Sequence, residues 1–323
     1  MDLSADLSGR TVSAGYRALH QGAAALDLSA RGKIRASGED RARLLHAMST
    51  NRVQELQPGD GCYTFFLNAQ GRILCDANLF CFGDYLLLDV EPETRTNLYE
   101  HLDRYIIADD VALEDQTESL ATVGVEGPEA SLVLKRLGAP LPEIPYRWTA
   151  WGGRIVAAAD STGAGGFRVF LPASEKADLL AELAAVGALE ANPQDARIVR
   201  IEHGRPRYGE EITERYLVQE TGQMHAVNFN KGCYLGQEIV ERVRSRAQIH
   251  RVLMRLQIDA NEPPSPGVKL KAGDADAAEI ASAVFSPALG KVVALAYVRT
   301  QYAEAGAKLS LDSASAEVIP AAA

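Results

Sequence analysis

The chain has 323 residues, 47% of them hydrophobic, and a formal net charge of −10 from 33 basic and 43 acidic side chains. That is enough length for two domains and enough apolar content for ordinary cores. No apolar run approaches a membrane span, and the acidic balance speaks against direct nucleic-acid binding. The acidic start, Met1 to Asp6, lacks the basic and apolar regions of a secretory signal, so a cytoplasmic protein with no membrane attachment is expected. The four cysteines (62, 75, 81 and 233) show no C-x-x-C and no zinc spacing, and no metal site is expected.

In chain order, residues 33–36 read as a strand, and Ser37 as the N-cap of a helix carrying Leu44, Leu45 and Met48. A strand meander follows: residues 63–67, a turn at Asn68-Ala69-Gln70-Gly71, residues 72–80, a turn at Gly83-Asp84, and residues 85–90. Pro92 opens a helix with Leu98, Leu102 and Tyr105-Ile106 at helical spacing, and residues 111–113 read as a strand. The theme then repeats, with a strand at 121–125, a helix between Gly127-Pro128 and Gly138, and a loop marked by Pro140, Pro142 and Pro145. Residues 166–171 form a strand, Ser174 caps a helix to about Val186, and Asp195 opens another through Ile201.

The glycines at 163, 165 and 166 invite a dinucleotide-loop reading, but Arg168 occupies the third glycine position and a strand follows, so this is a hairpin loop. After Arg246 only strands are visible (250–258, 279–285, 292–298, 308–311), which predicts a small all-β barrel of about 75 residues. The tail from Asp312 is weakly specified.

The most informative stretch is Lys231-Gly232-Cys233-Tyr234-Leu235-Gly236-Gln237-Glu238, where a polar segment gives way to a helix beginning at Gln237. Unpaired N–H groups and the positive dipole end, with Lys231 adjacent, favour a thiolate at Cys233. Its glycines permit a tight turn and close approach of a ligand. A Gly-rich turn with one half-buried Cys is the bland alternative, and neither reading names a ligand. From Lys231 to Arg255 six basic residues face Glu238 and Glu241, a local balance of +4 that suits a small anionic ligand or an acidic partner, or else a solvated face of ion pairs. The remaining cysteines fall in strand-like segments and are expected to be inert.

The octapeptide resembles the signature of the YgfZ-type folate-binding proteins, relatives of the glycine-cleavage T-protein that act in iron–sulfur cluster assembly or repair. The likeness extends from about Arg31 to Leu311. Leu67 to Asp76 is similar to the family's folate-site hairpin, which in the T-protein ends in two aspartates, one of them catalytic; here the pair is Cys75-Asp76. Arg200-Ile201-Glu202-His203-Gly204-Arg205-Pro206 is similar to the R-x-E-x-G-x-P segment whose glutamate contacts the pterin. Val218 stands where the YgfZ pattern has proline before Gln-Glu.

The resemblance implies an α+β cloverleaf: a two-lobed folate-binding body over 1–245 and a C-terminal β-barrel over 246–323. The body's lobes would be discontinuous, about 1–50 plus 120–245 and 51–119. Tetrahydrofolate or a one-carbon derivative is the implied cofactor, with Cys233 and Asp76 as working residues. Arg200, Glu202, Lys231, Gly232, Tyr234, Gln237, Glu238 and Arg251 would bind the cofactor. Implied partners are the folate and iron–sulfur assembly proteins or cluster-containing client enzymes.

Two functions follow. One is a folate-dependent accessory protein whose Cys233 ligates a cluster at a shared interface or handles a reactive one-carbon or sulfur species; one thiol holds no cluster alone. The other is an aminomethyltransferase in which Asp76 assists attack by the folate nitrogen, with the carboxylate missing at position 75 pointing to reduced activity. A non-catalytic folate sensor with a structural Cys233 is a third.

Overall fold

The computed structural model describes residues 12–246, 249–311 and 314–320; the acidic start and the tail residues 312, 313 and 321–323 lie outside them. A mixed six-stranded sheet, an antiparallel five-stranded sheet and a barrel make up the described residues. The six-stranded sheet runs Leu189–Glu190, Ala24–Asp27, Leu120–Glu126, Gly166–Pro172, Arg154–Ala157, Trp148–Trp151. The five-stranded sheet runs Gly61–Leu67, Ile73–Cys81, Tyr85–Val90, Gly32–Ser37, Ala112–Asp115. Because Gly32–Ser37 pairs with Tyr85–Val90, residues 32–50 go with the hairpin lobe and not with 120–245 as the expected lobe division had it.

Period-2 alternation sorts each strand's side chains between two faces. Cys75, Ala77, Leu79 and Leu88 turn to the helices Arg41–Met48 and Arg95–Asp103, packing on Leu44, Leu45, Leu98 and Leu102. Their neighbours Phe80 and Leu87 turn the other way, against Ala157 and Phe170 of the second sheet, with Phe80 edge-on to Phe170 at 5.5 Å. The far face of the six-stranded sheet is covered by Ala130–Arg136 and Lys176–Ala185 through Val133, Leu134, Leu179 and Leu183. Helices thus cover the outer faces and the inner faces meet.

Charge also crosses between the sheets. Asp89, fully buried, accepts from Arg31 at 2.7 Å and pairs with Arg168 of the opposing sheet. Burial works to raise the Asp89 pKa, but Arg168 and Arg31 outweigh it and hold the carboxyl below its ordinary value.

The C-terminal strands close a six-stranded barrel in the order Arg251–Ile258, Lys291–Arg299, Ala275–Ser286, Lys269–Ala272, Lys308–Leu311, Ala314–Ile319. The last of these lies in the tail that reads as weakly specified; it pairs on both sides, which closes the barrel. The sequence reading passes over the helix Ala14–Gln21, capped by Ser13, and the strand Ala24–Asp27. It also starts one helix late: Pro193–Glu202 is opened by Asn192 in a capping box with Asp195. Among the described residues no helix is long and apolar enough to cross a membrane.

Candidate functional site

A cavity of about 800 Å³ opens between the inner faces of the two sheets, within the roughly 300–1,000 Å³ usual for small-molecule sites. The alternation that sends Phe80 inward sends Asp76 and Asn78 the same way, so both line it. Tyr63, on the neighbouring strand, donates its hydroxyl to Asp76 Oδ2 at 2.7 Å and stacks on His225 at 5.3 Å. Burial raises the Asp76 pKa to about 6, helped by the nearby Glu91 and opposed by the Tyr63 hydroxyl and Arg31. An acid tuned close to neutrality on a cavity wall is suited to take or hold a proton.

The opposite wall is supplied by residues that the sequence reading leaves unassigned. Tyr146 lines the cavity with φ of 63°, in the left-handed region that non-glycine residues rarely adopt. Asp160 with Ser161 and Thr162, the start of the 161–166 segment read as a hairpin loop, forms another edge. It is fixed from below by Glu126, which accepts from the backbone N–H and hydroxyl of both Ser161 and Thr162 at 2.5–2.9 Å. Arg205-Pro206-Arg207 completes the wall. Arg205 pairs with Asp160 at 2.5 Å, and Arg207 with Glu91 and Glu93 at 2.9 and 2.6 Å. The place of Arg205 and Pro206 beside Glu202 in the quoted segment was the available sequence signal.

The sequence-selected residues separate into three places. Asp76 and Arg200 line the cavity; Arg200 is held by Glu210 and Glu211, each at 2.8 Å, and donates to Arg205 O at 2.9 Å. Glu202, the expected pterin contact, is not among the lining residues. It accepts from the Tyr16 hydroxyl and faces His20 Nε2, both at 2.7 Å, tying the helix Pro193–Glu202 to the helix Ala14–Gln21. Arg251 joins barrel to body, pairing with Glu220 at 2.9 Å and lying over the Tyr216 ring at 4.8 Å.

The octapeptide makes a third place, away from the cavity lining, and most of it acts as a clasp. Lys231 Nζ donates to the backbone carbonyls of His46, Ser49 and Asn51 at 2.5, 2.6 and 2.8 Å, pinning the end of the helix Arg41–Met48. Burial draws its pKa down to about 7, whereas three carbonyls aimed at the ammonium favour its charged form. Tyr234 is buried with Phe65, Leu67 and Ile73. Gly236 adopts φ of +84°, and a Cβ there would come within 2.7 Å of Asn68 O, because the motif packs on the hairpin turn. The strands of that hairpin, not its turn, reach the cavity. Gln237 Oε1 accepts from Tyr234 N at 3.3 Å, and Glu238 pairs with Arg242 at 2.5 Å.

Leu235 packs against the core of the hairpin lobe, and what remains of the octapeptide is Gly232 and Cys233, both exposed at the crest of the clasp. The thiol is presented to solvent and not to the mouth of the cavity. The other thiols are insulated: burial pushes Cys62 up to about 12 and holds Cys75 and Cys81 above their ordinary value. Cys75 turns away from the cavity and lies 3.2 Å from Thr94 Oγ1. Position 75 and position 76 therefore serve opposite faces of one strand.

Stacked α+β lobes, a closed barrel and a cavity between the lobes define the T-protein fold. The crystal structure of glycine cleavage system aminomethyltransferase T from Bartonella henselae matches it with a TM-score of 0.86, over 95% of this chain and 87% of that one, at 18% identity. Residues 5–231 match the GCVT N-terminal domain and residues 251–323 the glycine cleavage T-protein C-terminal barrel domain. The chain belongs to the glycine cleavage T-protein family. A putative chloroplastic transferase of Arabidopsis thaliana is 30% identical over 257 residues, which are 77% of this chain and 59% of that one. An aminomethyltransferase of Rubrobacter xylanophilus is 29% identical over 294 residues, 89% of this chain and 79% of that one. The chain thus spans less than two thirds of the Arabidopsis relative.

Proposed function

We propose that the chain binds tetrahydrofolate, or a one-carbon derivative of it, in the inter-sheet cavity. We further propose that it uses Cys233 as a separate working thiol in iron–sulfur cluster assembly or repair in the cytoplasm. The observation that carries the first part is Asp76: a buried carboxylate with a pKa near 6 on the wall of a ligand-sized cavity. The cavity residues fit a pterin. Its ring N–H and amino groups are donors, Asp76 and Asn78 supply acceptor oxygens, and Tyr63, Tyr146 and His225 supply ring surfaces. Bound tetrahydrofolate would supply a nitrogen that accepts or carries a one-carbon unit. The protein would orient it, exclude water between the sheets, and hold or take a proton at Asp76.

The thiol part rests on Cys233 being exposed on a rigid clasp while the other three cysteines are insulated. Among the described residues no three His, Cys, Asp or Glu side chains gather as a metal site, so Cys233 would contribute one ligand, with partners or small thiols supplying the rest.

Aminomethyl transfer is the second reading, and the cavity favours it in one respect. Cys75 faces the helices, so the missing carboxylate at that position takes nothing from the cavity face of this strand. In this reading Asp76 would be the group of that strand that handles the proton.

Titration with tetrahydrofolate and its formyl and methylene forms, followed by Trp148 and Trp151 fluorescence, tests the proposal. Asp76→Ala should weaken binding by about tenfold or more, as expected for losing a charge-assisted hydrogen bond, and Cys233→Ser should leave affinity unchanged. In cells, Cys233→Ser should lower the activity of cluster-containing enzymes; full activity would remove the thiol role. Turnover of an aminomethyl donor that is lost in Asp76→Ala would decide for the transferase.

A further inference from the structure

Asn78 stands on the cavity wall, and the register of the hairpin lobe decides which end of its amide meets a ligand. Its cross-strand neighbours are Tyr63 on one side and Asp89 on the other. Residues directly opposite on paired strands lie about 5 Å apart, within reach of short polar side chains. Asn78 Nδ2 donates to Asp89 Oδ2 at 3.3 Å, and Asp89 is fully buried.

Only one end of the amide can make that contact. Asp89 pairs with both Arg31 and Arg168, and these cations hold its carboxyl below the ordinary value, so it is ionised at neutral pH. An ionised carboxylate accepts and never donates. Turning the amide over would press its oxygen against a buried anion, so the nitrogen stays on the Asp89 side. The other end, Oδ1, accepts from no described residue, although the side chain lines the cavity and Asn78 is only 8% exposed. A buried acceptor left without a donor is costly, and a ligand that brings one recovers that cost. Asp76, two residues away on the same face of the strand, sets a carboxyl beside it.

We infer that Asn78, its amide held by Asp89, is a specificity-determining residue: it admits a ligand that brings an N–H to this point of the wall and rejects one that brings a bare ring nitrogen. The inference rests on the folate reading above and deepens it to the hydrogenation state of the ring. In folic acid ring nitrogens 5 and 8 are both acceptors. In tetrahydrofolate both are N–H donors, and the formyl and methylene forms keep the donor at nitrogen 8. The oxidised ring sets a lone pair against Oδ1 where water is scarce; the reduced ring supplies the missing donor.

Equilibrium dialysis under anaerobic, reducing conditions compares tetrahydrofolate with folic acid on the full chain. The wild type should prefer tetrahydrofolate by about tenfold or more, the scale of one buried acceptor gaining or losing its donor. Asn78→Leu, close in size and without an acceptor, should lose about tenfold in tetrahydrofolate affinity and keep or gain affinity for folic acid. Asn78→Ala should move the ratio the same way, which keeps the test open should the leucine disturb folding. A wild type without the preference, or a preference that survives both substitutions, would overturn the assignment and leave the folate reading intact. Equal losses for the two ligands, the mark of a merely structural Asn78, would do the same. A wild type that binds neither ligand would overturn both.

Discussion

Replacing Asp76 by Asn should make the protein more stable at neutral pH, although it removes the group on which the proposed function rests. The carboxyl has an ordinary pKa of 3.8 when unfolded and about 6 in the folded chain, so between these values the folded state binds the extra proton. Stability therefore falls as pH rises from about 4 to about 6, and the whole penalty stands at neutral pH. At about 1.36 kcal/mol per pH unit the difference amounts to at most about 3 kcal/mol. Asn keeps an oxygen to accept from the Tyr63 hydroxyl and carries no charge toward Glu91. Burying its amide offsets part of the gain, leaving about 1–3 kcal/mol. Urea unfolding of both proteins across pH 4 to 8 measures this: the variant's advantage should be near zero at pH 4 and full above pH 7. A pH-independent difference, or a variant less stable at pH 7.5, would refute the assignment of burial as the dominant influence on Asp76.

Other substitutions probe the parts that hold the site. Lys231→Met leaves three inward carbonyls of residues 46, 49 and 51 without their donor and should cost about 3–5 kcal/mol in unfolding free energy, the scale of three unsatisfied buried acceptors; a change under about 1 kcal/mol would mean that the clasp adds no stability. Gly236→Ala places a Cβ 2.7 Å from Asn68 O in a left-handed backbone conformation, and should lower stability by about 1–3 kcal/mol, read by thermal unfolding. Glu126→Gln keeps one acceptor oxygen where two serve four donors, which should cost about 2–4 kcal/mol. Ligand affinity should fall with it, because Ser161 and Thr162 line the cavity. Cys233→Ser, at an exposed position, should shift stability by no more than about 0.5 kcal/mol.

Local pattern was sufficient for the meander, four of the six barrel strands and most helices, since alternation and turn residues are written within each segment; Lys269–Ala272 and Ala314–Ile319 were not read from it. The helix Ala14–Gln21 escaped notice because its environment is made by distant partners: Tyr16 bonds Glu202, and a Cβ on Gly15 would be 2.5 Å from Ala191 Cα. Likewise Ala24–Asp27 is four residues long and is fixed by pairing with strands some hundred and more positions away.

The octapeptide marks where sequence stops being sufficient. Its residue types single it out as special, and its likeness to a folate-binding family is carried by them. Only the folded chain shows that Lys231, Tyr234 and Gly236 are engaged in holding the hairpin lobe, that Cys233 faces solvent, and that the cavity belongs to Asp76, Tyr63 and the arginines of other segments. The chain's own order could fix the alternation that turns Asp76 one way and Cys75 the other. Which of those faces meets a second sheet, and which is covered by helices, depends on contacts between residues far apart in the chain, and these exist only once the two sheets have packed.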